Sequence, residues 1–148
     1  MVKDFNPKQI EFINSGKICV VGVNSPTTNF PHLTPTGVLY FNNKLYVGVK
    51  TDTAKYRFIG KGSNKLGMTV IDKSNFAYLS VIGNAILYDK DTIDDYELIF
   101  RLINENYIPK EAAIKRMNSI LQEGNWVLIE LTPTKIISLN QRGGFNGA

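Results

Sequence analysis

The stretch "GVLYFNNKLYVGV", residues 37–49, has the pattern of a β-hairpin. Two runs of β-branched and aromatic residues flank Asn42 and Asn43, which tolerate the positive φ angles of a tight turn. Further strand-like runs precede and follow it, namely "KICVVGV" at 17–23, "KLGMTVID" at 65–72 and "AYLSVIGNAILYD" at 77–89. The sequence therefore predicts an antiparallel sheet built around this hairpin.

Local signals add detail to the predicted sheet. The uninterrupted apolar residues at 17–23 are typical of a strand buried on both of its faces. Gly83, within the longest run, predicts a β-bulge or a sharp bend of the kind found at barrel corners. Ahead of the first strand, Asn6, Pro7 and Gln9 match a capping box and predict a short helix.

A pair of helices is predicted after the long run. Apolar residues recur three and four positions apart from Asp91 onward, which gives one apolar side to a helix: Ile93, Tyr96, Phe100 and Ile103. A second helix after Pro109 has its apolar stripe and its terminating glycine at Ile114, Met117, Leu121 and Gly124. Two strands, "WVLIEL" and "KIISL", joined at residues 132–134, complete the pattern. About six or seven strands, mostly neighbours in sequence, with a helix pair inserted before the last two, predict an α+β fold that forms an antiparallel barrel.

Length and composition indicate the number of domains and the charge of the ligands that the chain could bind. With 148 residues, 43% of them hydrophobic, the chain is expected to form a single domain over 1–148, with 140–148 as a flexible tail. Its 17 Lys and Arg against 13 Asp and Glu give a charge of +4. This excess suits an anionic ligand but is less than the clustered charge of a dedicated nucleic-acid-binding domain.

Two further features exclude whole classes of protein. One cysteine, Cys19, and one histidine, His32, argue against an internal disulfide and against metal sites built from these residues. The N-terminus is charged and broken by Pro7, and no window of the sequence is apolar for long enough to span a bilayer. The sequence therefore predicts a soluble, cytoplasmic protein with no membrane span.

The segment "KTDTAKYR", residues 50–57, is the candidate binding element. A short helix is predicted from about Thr53, directly after a strand, so that the backbone N–H groups at its start point outward. Lys55 and Arg57 add positive charge, and arginine can hold a phosphate with two parallel hydrogen bonds. The pattern suits an anion site, and a solvated helix start capped by Thr51 or Asp52 explains the same residues.

No catalytic side chain is predicted. The sequence shows no evident carboxylate pair, Ser/His/Asp set or Cys/His pair. Trp126, at the start of a strand, is expected to pack in the core, with stacking on a flat ligand as the alternative. An anion site on a barrel without proton-transfer groups is typical of an enzyme whose difficult step is carried out by a bound cofactor.

The order of these elements resembles that of the pyridoxamine 5′-phosphate oxidase-like split-barrel family, which includes flavin- and deazaflavin-dependent reductases. The resemblance runs from about Ile10 to Asp89 and extends to the final strands. Members commonly have a Pro-His pair, a strand proline, a hairpin, a threonine and a Ser/Thr-x-Lys-x-Arg segment, here Pro31, His32, Pro35, Thr51, Thr53, Lys55 and Arg57. The resemblance implies an antiparallel split β-barrel with short flanking helices, in which the helix pair over 92–122 is an insertion.

The same resemblance implies a flavin-binding oxidoreductase that transfers hydride between bound FMN and a small or planar substrate. It assigns the cofactor phosphate to Thr51, Thr53, Lys55 and Arg57. It assigns the isoalloxazine ring to Thr34, Pro35, Thr36, Val49 and Lys50. Family members are homodimers with the cofactor between the subunits, so part of each site, with Trp126 as a candidate, is expected to come from the partner chain.

Alternatives remain open at this point. The same fold can hold coenzyme F-420, a deazaflavin with a longer acidic tail, which Lys61 and Lys65 could meet. From another class, a non-catalytic flavin carrier or a small nucleic-acid-binding barrel has a similar composition. Nucleic acid is the weaker alternative, because packing within strands explains most of the aromatic residues. The sequence leaves the substrate and the electron donor unspecified.

Overall fold

The computed structural model describes residues 1–140, which form seven β-strands and four α-helices. The strands are β1 (Ile18–Asn24), β2 (Pro31–Thr36), β3 (Leu39–Phe41), β4 (Lys44–Lys50), β5 (Lys65–Asp72), β6 (Ala77–Tyr88) and β7 (Trp126–Asn140). The helices are α1 (Pro7–Ile13), α2 (Ala54–Gly60), α3 (Tyr96–Tyr107) and α4 (Lys110–Glu123). Asn140, the first residue of the predicted flexible tail, ends β7, and residues 141–148 lie outside the described residues.

The strands form one antiparallel sheet in the order β2-β1-β5-β6-β7-β4-β3. The predicted hairpin is confirmed: β3 pairs with β4, and Asn42 (φ 50°) and Asn43 (φ 59°) form its turn. The predicted capping box is also present, because the Asn6 side chain accepts the Gln9 N–H at 2.8 Å and the Gln9 side chain accepts the Asn6 N–H at 2.9 Å. Together with the helix pair between β6 and β7, this sheet gives the predicted α+β class.

The bulge predicted at Gly83 is confirmed, and it corrects the prediction for the last two strands. The register between β6 and β7 shifts between Ile82 and Gly83, and a Cβ on Gly83 would collide with the Thr132 carbonyl. Residues 126–140 form one continuous strand rather than two strands joined at 132–134. The strand can continue through Pro133 because the bulge interrupts the ladder where this residue lacks an N–H.

The main core lies between the inward faces of the strands. On β1, Cys19, Val21 and Val23 are buried, whereas Val20 and Gly22 are half-buried on the outer face. The prediction that this strand is buried on both faces is therefore wrong. Its apolar run combines one core-facing side with an outer side that is only partly covered.

The helix pair covers the outer face of β3, β4 and β7 and forms a second core with side chains of these strands. The first helix begins at Tyr96 rather than near Asp91, because Asp89 and Thr92 form a turn before it. The Thr92 hydroxyl accepts the Asp89 N–H at 2.8 Å, and the Asp89 carboxylate accepts the Asp91 N–H at 2.9 Å. The apolar side predicted for this helix is otherwise confirmed, since Tyr96 and Phe100 are buried.

The apolar stripe predicted for the second helix is confirmed at Met117, but its other two buried positions each lie one residue earlier than predicted. α4 buries Ala113, Met117 and Ile120, whereas Ile114 and Leu121 are 50% and 42% exposed. Neighbouring residues of a helix point about 100° apart. The side of α4 that packs on α3 and β7 therefore carries Ala113 and Ile120 rather than Ile114 and Leu121. The helix ends as predicted at Gly124, which has a φ of 71°.

None of the helices within residues 1–140 is long and apolar enough to cross a membrane.

Candidate cofactor site

A tight loop that neighbouring groups hold in place joins β4 to α2. The Thr53 Oγ1 accepts the Tyr56 N–H at 3.5 Å and donates to the Lys50 carbonyl at 2.8 Å, so Thr53 is the N-cap of α2. The Thr51 N–H donates to the Asn125 carbonyl at 2.9 Å. The strand, loop and helix predicted from "KTDTAKYR" are therefore formed, and the Thr53 hydroxyl is committed to capping the helix.

Arg57 adds positive charge to this loop. Its Nη1 donates to the Asp52 carbonyl at 2.9 Å, so the exposed side chain folds back from the helix toward the loop. An arginine side chain has five N–H donors, and within residues 1–140 the guanidinium of Arg57 makes this single hydrogen bond. It therefore keeps donors for an anion next to the loop.

Lys55 lies on the opposite side of α2, because two helical residues are about 200° apart. Its side chain is turned into the protein and is 7% exposed. Among the described residues, the Lys55 ammonium has neither a hydrogen bond nor an ion pair. Burial lowers the pKa of Lys55, and the nearby Cys19, whose own pKa burial raises to about 12, acts in the opposite direction. The structure thus separates Lys55 and Arg57 into a buried cation and an exposed one.

Glu123, the last residue of α4, links two of the predicted site residues. Its carboxylate accepts the Trp126 indole N–H at 3.0 Å and lies 3.2 Å from the Lys50 ammonium. The Lys50 ammonium is also 5.4 Å from the centroid of the Trp126 ring. The bonds from Trp126 and Lys50 hold the pKa of Glu123 below its usual value. The inserted helix pair therefore positions both Lys50 and Trp126.

A cavity of about 340 Å³ lies between the helix pair and the sheet, and two predicted site residues, Thr36 and Trp126, belong to its lining. Arg116 of α4 also lines it, with its guanidinium carbon 5.0 Å from the centroid of the Trp126 ring. Trp126 packs against the second core, as predicted, and also borders this cavity; stacking on a flat ligand stays a prediction.

The remaining predicted residues occupy different environments. The Thr34 hydroxyl on the edge strand β2 is buried without a partner among the described residues, and Pro35 beside it is exposed. Val49 is buried in the main core, so its side chain packs against other strands and leaves only its backbone to face a ligand. The structure therefore places Thr36 and Trp126 at one cavity, with Lys50 beside the Trp126 ring. It places Thr51, Thr53 and Arg57 in or next to one loop.

The sequence reasoning missed Glu123 and Arg116. The spacing of three residues between Glu123 and Trp126 was the one available signal, since it allows a contact across the helix end at Gly124. Arg116 carried no comparable signal, because its role depends on which side of α4 contacts the sheet.

No protein-family model matches the sequence, and no curated protein matches it significantly. Among solved structures, a conserved hypothetical protein from Mycobacterium tuberculosis matches with a TM-score of 0.76 over 98% of this chain and 96% of its own, at 13% identity. An F420 reductase matches with a TM-score of 0.66 over 89% of this chain and 98% of its own, at 20% identity. A Listeria innocua protein described as a candidate pyridoxamine 5′-phosphate oxidase matches with a TM-score of 0.66 over 90% of this chain and 97% of its own, at 18% identity.

The chain has the split-barrel fold of these proteins. The fold predicted from the resemblance is thereby confirmed, with α3 and α4 inserted between β6 and β7. Because one fold can carry many functions, the function is argued below from the site.

Proposed function

We propose that this protein binds FMN and transfers hydride between it and a small or planar substrate. The flavin would supply the hydride chemistry, and the protein's groups would bind it, orient it and exclude water. In this proposal Arg57 and Lys55, with the Thr51 hydroxyl, hold the phosphate, and Thr53 shapes the loop around it by capping α2. Thr34, Pro35, Thr36, Val49, Lys50 and Trp126 lie along the ring.

The observation that carries the proposal is the buried Lys55. Burial of the Lys55 side chain lowers its pKa, so its charged form has lost part of its hydration. None of the carboxylates in residues 1–140 pairs with it in compensation. A ligand phosphate would supply the missing charge and would raise the pKa of Lys55 back toward its ordinary value. The buried Thr34 hydroxyl, also without a partner among the described residues, is a second polar group that a ligand could satisfy.

The proposal includes a homodimer. An outward-facing row runs across four strands in register: Ile18 pairs with Ile71, Ile71 with Tyr78, and Tyr78 with Leu139. Ile18, Ile71 and Leu139 are all exposed, and the helix pair covers a different part of the sheet. Contiguous apolar surface of this kind marks a contact with another protein, and a second copy of the chain would bury it.

Sedimentation velocity tests the dimer. Ile71→Glu combined with Leu139→Glu should convert dimers to monomers, because each places a carboxylate in an apolar contact. Ile114→Glu, at an exposed isoleucine on α4, is the matched control and should leave the dimer intact. A wild-type protein that sediments as a monomer at high concentration would contradict this part of the proposal.

FMN titration tests the phosphate site. Lys55→Ala combined with Arg57→Ala should weaken FMN binding by about 2–4 kcal/mol, since each change removes a charge-assisted hydrogen bond and that of the exposed Arg57 is the weaker. This corresponds to a Kd about 30-fold to 1,000-fold higher. Lys110→Ala combined with Lys115→Ala, two exposed lysines on α4, is the control with the same change of charge. Equal FMN affinity in the two double variants would contradict the assignment.

Coenzyme F-420 is the second candidate cofactor, favoured by the likeness to an F420 reductase. Both cofactors present a phosphate and a flat ring, so the residues assigned above serve either one. The deazaflavin would bring additional acidic groups, which the exposed Lys61 and Lys65 would meet. Mass spectrometry of the ligand released from the purified protein distinguishes the two cofactors.

A further inference from the structure

The inserted helix pair and the sheet enclose a cavity of a size suited to a small ligand. Its volume is about 340 Å³, and small-molecule sites start at about 300 Å³. Gly37, between β2 and β3, and Gly48 of β4 line it on one side, and Ile103 and Ile120 line it from the helices. The cavity is therefore a product of the insertion.

The aromatic rings that line this cavity pack against the sheet where two glycines leave room for them. A Cβ on Gly48 would overlap Phe100, and a Cβ on Gly37 would lie 3.0 Å from the Tyr107 ring. The aromatic rings of α3 consequently rest directly on the backbone of β4 and of the β2–β3 connection. With Trp126 completing the border, the lining is mostly aromatic and aliphatic, which favours a planar apolar ligand.

The polar groups of this lining select for an acceptor or an anion. Arg116 is the one charged side chain among its described lining residues, and within residues 1–140 no carboxylate pairs with it. Asn104 lies in the same lining, and its Nδ2 is buried without an acceptor among the described residues. A carboxylate on the ligand would pair with the Arg116 guanidinium, and its oxygen would offer an acceptor on the side of Asn104.

We propose that this cavity binds a planar aromatic carboxylate. Thr36 and Trp126 belong both to this lining and to the proposed cofactor site, so the occupant would lie beside the cofactor. Calling the occupant a substrate rests on the proposed function. Its binding to the cavity does not, because the argument uses only the lining residues.

The single tryptophan of the chain gives a direct readout, because Trp126 borders the cavity. The full-length protein would be titrated with naphthalenecarboxylate and with the neutral naphthalenecarboxamide, before and after addition of FMN, while the indole N–H resonance of Trp126 is followed by NMR. We expect a saturable shift with the carboxylate in both states and weaker binding of the carboxamide. The absence of a saturable shift with either compound would overturn the proposal.

Variants distinguish the contribution of the Arg116 charge to ligand binding from that of the shape of the cavity. Arg116→Gln should weaken carboxylate binding about fivefold, as expected for a partly solvated ion pair, and leave carboxamide binding unchanged. Lys115→Gln, next to it on the exposed side of α4, should change neither. Equal losses for both compounds in Arg116→Gln would overturn the role of the charge.

The two proposals fail in different ways in this experiment. A protein that binds the carboxylate but takes up no FMN would contradict the proposed function and leave the cavity's ligand class standing. FMN that displaces the carboxylate would assign the cavity to the cofactor and overturn the present inference.

Discussion

Replacing Lys55 with methionine should stabilise the cofactor-free protein and at the same time weaken FMN binding. Lys55 is 7% exposed and has no counter-ion within residues 1–140, so its charged form loses part of its hydration without compensation. Methionine keeps the buried stem and removes the charge. We expect the free energy of unfolding to rise by about 1 kcal/mol, or about 2–4 °C in Tm. Loss of a charge-assisted bond to the phosphate should raise the Kd for FMN about 10-fold to 150-fold.

Two measurements on the same preparations test this pair of effects. Thermal unfolding followed by circular dichroism gives the stability, and titration followed by flavin fluorescence gives the Kd. Lys115→Met, at an exposed position on α4, is the matched control and should change each free energy by less than about 0.5 kcal/mol. A destabilised Lys55→Met protein with unchanged FMN affinity would refute the reasoning, because Lys55 would then be an ordinary structural side chain.

Two further predictions concern the scaffold and are measured by urea unfolding. Gly48→Ala should lower the free energy of unfolding by about 1–3 kcal/mol, because its Cβ would overlap Phe100. Gly60→Ala, which has open space around it, is the control and should not destabilise the protein. Equal effects of the two substitutions would contradict the packing argument. Hydrogen bonds from Asn75 and Ser74 lower the pKa of Asp72 from 3.8 to about 2. Because the ionised form is favoured in the folded state, this stabilisation is complete above about pH 4 and lost as the pH falls through about 2. Asp72→Asn should therefore be less stable than the wild type at neutral pH and approach it in acid, and a deficit that does not change with pH would count against the prediction.

The elements that could be predicted from the sequence are those set by neighbouring residues. Two asparagines between strand-like runs specify the β3–β4 turn, and Asn6 with Gln9 specifies the start of α1. Gly83 marks the bulge because a side chain there would meet the opposite strand. In each case the backbone geometry depends on a few consecutive residues, so the pattern alone identifies it.

Features that depend on how elements pack were the ones the sequence could not supply. The buried side of α4 is selected by α3 and β7, so Ile114 and Leu121, apolar at helical spacing, are largely exposed. The burial of Lys55 likewise depends on how α2 sits against β1, which a charged residue in a polar segment does not reveal. Glu123 gains its place beside Lys50 only when the end of α4 meets β4.

In the candidate site too, the local structure could be predicted from the sequence, whereas the packing of its side chains could not. The loop from Lys50 to Thr53 joins a strand to a short helix as predicted, but the N-cap is Thr53 rather than Thr51 or Asp52. The assignment of its residues, and of Thr34, Pro35, Thr36 and Trp126, to a flavin stays a prediction that came from the resemblance. The structure adds to it a buried lysine without a counter-ion in residues 1–140 and a cavity beside Trp126.

The most direct test of the account is to purify the protein without added cofactor, record its visible absorption spectrum, and weigh by mass spectrometry whatever is released on denaturation. The account predicts a flavin spectrum and the mass of FMN or, as the second candidate, of coenzyme F-420. A protein purified without ligand should take up one of these when it is added. A colourless protein that binds neither cofactor would contradict the central claim and leave a split barrel with a different, non-flavin role.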